Sequence, residues 1–169
     1  MARKASVILS HWHQLIEGLQ ESPQQIYSQM EQAINSRKLP GVKILRISYK
    51  EAGVLSAKRE YLRVVRNEYI FDICAAPFGT GFFVSWWLGT RRKLSKKQVL
   101  LLWLLPPIGL LAWLSSRRET FYTLDTAMMF RDSVHTAVME VVDKVVDAKG
   151  LRQLTEEQKK PILKDILSR

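Results

Sequence analysis

The sequence predicts an α+β fold: a small antiparallel sheet of about four strands covered by helices, with a two-helix transmembrane or re-entrant hairpin inserted between strands 3 and 4. Three observations predict it. Ile73 to Thr90 runs eighteen residues without a charge, and Gln98 to Ser116 runs nineteen more; about 20 apolar residues cross a bilayer core as a helix. Between the two runs, Arg91, Arg92, Lys93, Lys96 and Lys97 make a short basic turn. On either side of this region, apolar residues recur at helical or alternating spacing, the pattern of a packed polar domain. The expected division is an N-terminal amphipathic helix over 1–21, a split cytoplasmic α+β domain over 22–73 and 118–169, and a membrane hairpin over 74–117.

The first helix rests on Ile8, Trp12, Leu15, Ile16 and Leu19, which fall at i, i+4, i+7, i+8 and i+11. Arg3 and Lys4 precede it, and only Val7, Ile8 and Leu9 form an unbroken apolar run there, too short for a secretory signal core. Ser22-Pro23-Gln24-Gln25 starts a second helix, with Ser22 as cap, Pro23 at the first helical position and Gln25 at capping-box spacing. Ile26, Met30, Ala33 and Ile34 line its inner face, and Leu39-Pro40-Gly41 ends it.

The period then changes to two. Leu45, Ile47 and Tyr49 alternate with polar residues, Val54 to Arg66 reads as a strand, Asn67-Glu68 as a tight turn and Tyr69 to Ile73 as the return strand, giving a three-strand meander. Asp72 is expected to pair with Arg63, Arg66 or Arg117.

In the hairpin, Pro77, Gly79 and Gly81 disfavour a regular helix at the start of the first segment and permit close helix–helix approach. Pro106 and Pro107 kink the second segment. Trp86, Trp87, Trp103 and Trp113 are placed as interfacial anchors. The turn cations, together with Arg117 and Arg118, are placed against anionic lipid headgroups. With no export signal, both termini are expected to be cytoplasmic and the protein to sit in a bacterial-type inner membrane.

Beyond the hairpin, Arg118 to Leu124 alternates as a fourth strand. Asp125 or Thr126 caps a long helix to Ala148, whose stripe of Ala127, Phe130, Val134, Val138, Val141 and Val145 suits a core-facing or an oligomer helix. His135 lies off that stripe and is expected at the surface. A last helix is expected from near Lys160, because Pro161 falls too deep for one starting at Thr155.

Chemistry is largely excluded. Cys74 is the one cysteine and His11, His13 and His135 the only histidines, too few for a metal site of common spacing. No nucleophile elbow, phosphate loop or dinucleotide fingerprint occurs. No cofactor is expected. The net charge of +10 is assigned to lipid or an acidic partner and not to nucleic acid, since no base-reading module accompanies it. The function these features imply is that of a small, non-enzymatic integral membrane protein that anchors a cytoplasmic domain, binds an unknown protein partner and self-associates. The alternatives are a pore-forming effector, assembled through the glycine-rich segment, or a lipid-binding or lipid-transfer domain.

Overall fold

The computed structural model describes residues 7–50, 58–90 and 120–163. The fold is α+β. Five long strands, β1 (Val7–Glu17), β2 (Val42–Lys50), β3 (Lys58–Arg66), β4 (Tyr69–Phe78) and β5 (Gly81–Thr90), join the two-residue β6 (Ile162–Leu163) in one antiparallel sheet of order β2-β3-β4-β5-β1-β6. Helices α1 (Pro23–Ser36) and α2 (Phe121–Ala148) pack together on one face of it. The single-turn α3 (Glu156–Lys159) precedes β6.

Two expectations are corrected at once. No helical hairpin lies between strands 3 and 4. The first supposed membrane segment is the second half of β4, a two-residue turn and β5, and the supposed N-terminal helix is β1. Among the described residues, no helix is long and apolar enough to cross a membrane. That finding removes the basis for an integral membrane anchor and for an inner-membrane location.

The physical reason is burial on both sides. β4 and β5 are central strands, and from Tyr69 to Ala75 only Asp72 is not fully buried. A strand buried on both faces reads as a continuous apolar run, as a buried helix does. Pro77, Gly79 and Gly81 belong to the hairpin end. Gly79 takes a φ of +60° in the turn between the paired Phe78 and Gly81. A Cβ at Gly81 would stand 2.8 Å from the Ile16 carbonyl oxygen, so the β1–β5 contact requires glycine there. Residues 91–119 lie outside the described residues. With them go the expectations for Arg91, Arg92, Lys93, Lys96, Lys97, Trp103, Pro106, Pro107, Trp113, Arg117 and Arg118.

The sequence predicts a helix at β1 because its anchors are four apart. Ile8, Trp12 and Ile16 satisfy a helical period, and after the bulge between Ile8 and Ser10 the even positions also satisfy a strand period. Ser10, Trp12 and Ile16 are buried, whereas Leu15 points to the other face and is 40% exposed. Trp, Val and Ile favour a pleated, half-buried surface, which tips the choice.

Helix α1 forms as expected and buries Ile26, Tyr27, Met30 and Ile34. Ser22 has the extended backbone of a cap, but its hydroxyl bonds to Gln24 Oε1 at 2.9 Å, so the capping box does not form. The meander also forms as expected. The tight turn places Asn67 at a φ of +53° between the paired Arg66 and Tyr69.

Tyr27 is a wedge in that meander. The β3–β4 register, set by Leu62 opposite Ile73, would bring Glu60 opposite Ala75. There the phenol stands between the strands instead. Its hydroxyl donates to the Glu60 carbonyl at 2.8 Å and accepts from the Ala75 N–H at 2.9 Å. Burial pushes the Tyr27 hydroxyl pKa up, so it stays a neutral two-way bridge.

Helix α2 begins earlier than expected. Thr120 caps it through a reciprocal box with Thr123, so the predicted fourth strand over Arg118 to Leu124 is, where described, the first turn of α2. Phe121 and Tyr122 are exposed there. The stripe does face the core: Val134, Val138, Val141 and Val145 are buried within the one chain, with Ala127, Phe130, Val142 and Val146. Gly150, at a φ of +63°, reverses the chain, and the Leu151 N–H closes the end on the Val146 carbonyl at 3.0 Å. The expected last helix is corrected as well. One turn does start at Thr155, with a box to Gln158, and Pro161 follows it instead of interrupting it.

Candidate functional site

The two faces of the sheet divide the candidate chemistry. Along β4 and β5, Phe71, Ile73, Ala75, Phe82, Val84, Trp86 and Leu88 enter the core under the helices. The residues between them turn to the face away from α1 and α2. The registers align the face away from α1 and α2 in rows. One row runs Leu45, Arg63, Asp72, Trp87, His11, Ile162; the next runs Cys74, Ser85, His13.

At the β3–β4 side of this face sits a closed polar cluster. Arg63 Nε and a terminal nitrogen each meet a carboxylate oxygen of Asp72 at 2.6 Å. Arg63 also donates to the Tyr49 hydroxyl, which in turn bonds to Asp72. Arg63 is 3% exposed. A two-pronged guanidinium–carboxylate pair is strong and directional, and Asp72 raises the pKa of Arg63 still further. The expected pairing of Asp72 is therefore made with Arg63. It lies on the sheet, between β3 and β4. Burial likewise pushes the Cys74 thiol up, away from the thiolate that nucleophilic chemistry needs. Every group here is held by a partner, which describes a structural cluster.

The β5–β1–β6 side is different. Trp87 stacks on His11 with ring centroids 4.7 Å apart and planes 11° from parallel. His11 and His13 lie parallel at 6.2 Å, and His13 approaches Phe83 at 6.3 Å. The result is a ladder of four rings, Trp87, His11, His13 and Phe83. Leu15, Trp87 and Ile162 beside it are 40–50% exposed. The ladder follows from the register: His11 opposes Trp87, and Leu15 opposes Phe83 across the β1–β5 pair. The alternating odd positions of β1 were the only signal for it in the sequence, and a helical reading of β1 hides them.

Of the other residues expected at a site, Trp86 is a core residue whose indole N–H donates to His135 Nδ1 at 3.1 Å. His135 is half-buried between Trp12 and Trp86, with ring centroids at 6.0 and 5.4 Å, and is not the surface residue its position off the stripe suggested. Between α1 and α2 runs an open groove of about 550 Å³, lined by Glu21, Gln29, Gln32, Glu140, Val141 and Lys144 among others. Its polar groups do not converge on a point, and Lys144 pairs with Glu140 across one turn of α2. Among the described residues, no group of three or more potential metal ligands occurs. Comparisons with protein families, with characterised proteins and with solved structures found nothing that matches this chain.

Proposed function

We propose that this chain is a binding module without catalytic chemistry, and that it takes an acidic polypeptide segment on the ring ladder at the β5–β1–β6 side of the sheet. The observation that supports the reading is the ladder itself: four rings in register, flanked by exposed Leu15 and Ile162, on the face opposite the helices. Rigid aromatic side chains give large contact area at little entropic cost and dominate binding energies. Each imidazole offers at least one N–H donor, suited to a carboxylate. The net charge of +10 supplies the long-range field that draws in an acidic partner and speeds encounter.

The test places a photo-crosslinking residue at Leu15 or at Ile162 in cells, with a control at Lys144 on the helix side. The expected result is the same adduct from both ladder positions and not from the control, formed with a protein acidic at the adduct site. It should weaken with added salt and disappear in the H11A/H13A variant. Adducts equal on both faces, adducts of two copies of this chain, or lipid adducts would overturn the reading.

A further inference from the structure

The chain after α2 turns back along the sheet as a strap over Thr155–Leu163, made of α3 and β6. Four links hold it. The Trp12 indole N–H donates to the Gln158 carbonyl at 2.6 Å, and the Ser10 hydroxyl to the Ile162 carbonyl at 2.9 Å. β6 pairs with β1 at Ser10 and His11. Lys159 Nζ meets Asp143 at 3.0 Å. Beside the strap lies His135, half-buried, with the Trp12 and Trp86 indoles on the sheet side and a hydrogen bond to the Lys159 backbone of the strap.

The valence of this arrangement decides the charge of His135. The Trp86 N–H can only donate, so Nδ1 must offer a lone pair, and the ring must be neutral. An imidazolium carries a proton on both nitrogens and would set N–H against N–H. We infer that His135 is an acid-sensitive latch: protonation drives the ring out of the cleft between Trp12 and Trp86, through the side that the strap occupies. The strap then lifts and bares the outer edge of β1. That edge is a row of backbone donors and acceptors on which another strand can pair.

The groups facing His135 set the balance. Among the described residues, the sheet contributes the two indoles. From α2, Asp132 favours the charged ring and Arg131 opposes it; from the strap, a hydrogen bond with the Lys159 backbone favours it. Lys159's own ammonium is turned to Asp143 and Glu156. Burial is the largest influence and holds the His135 pKa below its ordinary 6.5. The released state, where the ring is solvated, therefore binds the proton more readily than the closed state. Opening is favoured as pH falls through 6.5, and the gain is complete once the pH is below the closed-state value.

Amide hydrogen exchange between pH 7.5 and pH 5 tests this, with rates corrected for intrinsic pH dependence. The protection of residues 155–163 and of Ser10–Trp12 should fall as the pH drops below 6.5, by no more than about tenfold per pH unit, the limiting slope of one linked proton, and level off below the closed-state value. Central amides of β4 and β5 should keep theirs. H135Q, whose amide oxygen can still accept from Trp86, should abolish the dependence while keeping the strap closed at pH 7.5. H11Q/H13Q should leave the dependence intact. An NMR titration of the wild-type ring should give a midpoint below 6.5, and in W86F, where no N–H opposes the proton, a higher one. Constant strap protection, dependence that survives in H135Q, equal loss in the central strands, or a midpoint that W86F does not raise would each overturn the latch.

Discussion

Trp86 and Trp87 are neighbours in the chain and live in different solvents. Trp86 is fully buried under α2, against Phe71 and His135, whereas Trp87 is 43% exposed on the opposite face and stacks on His11. The contrast is between the two faces of one sheet. The face under α1 and α2 is closed by packing; on the other face Arg63 and Asp72 are held by hydrogen bonds at β3–β4, whereas Leu15, Trp87 and Ile162 are partly exposed at β5–β1–β6. An uncharged run therefore says only that water is kept off its average residue. Which residue meets water follows from the alternation of the strand, and the two tryptophans sit on either side of it.

The sharpest way to break the contrast is to empty the helix face. W86A removes a fully buried indole and should destabilise by about 3–5 kcal/mol in urea unfolding. On the other face, D72A should cost about 3–5 kcal/mol, because it strands the buried Arg63 charge. That loss should shrink in the double variant R63M/D72L, where neither charge remains, whereas no second change near Trp86 restores its packing. Y27F keeps the ring but removes the hydroxyl bridge between Glu60 and Ala75. It should cost about 1–3 kcal/mol, the desolvation of backbone groups left unpaired. T120A, which breaks the cap of α2, should cost about 1 kcal/mol. W87A should lie within about 0.5 kcal/mol of the parent, as surface substitutions do. If W87A destabilises as much as W86A, the ladder is core and cannot be a docking face.

Parts of this structure could be read directly. Helix α1, the meander with its Asn67 turn and the apolar stripe of α2 each carry a local signal: a proline at the first helical position, a residue tolerant of positive φ, a heptad-like apolar spacing; which of three arginines Asp72 meets, and what the stripe faces, the sequence leaves open. The errors fall where two periods coincide or where both faces are dry. Ile8, Trp12 and Ile16 fit a helix as well as a strand. Ile73 to Thr90 carries no charge because neighbouring strands and the core exclude water from most of it, and a lipid bilayer would select a similar composition. Thr120 to Thr123 is too short for period alone to distinguish a strand from the first turn of a helix, and the cap decided it. His135 was assigned to the surface because it stands outside the stripe of α2, but the strap and two indoles cover that flank as well.

The sequence by itself determined the local elements whose ends are marked by turns and prolines, and the net positive charge. Only the tertiary structure decided what solvent surrounds the apolar runs, which edge β1 joins, and that His11, His13, Phe83 and Trp87 form one ladder while Trp12, Trp86 and His135 form one cleft. The reason is range. Caps and turns are contests between a residue and its near neighbours. Burial and ring stacking depend on strands that the chain brings together from dozens of residues apart, and no local spacing records which ones will meet.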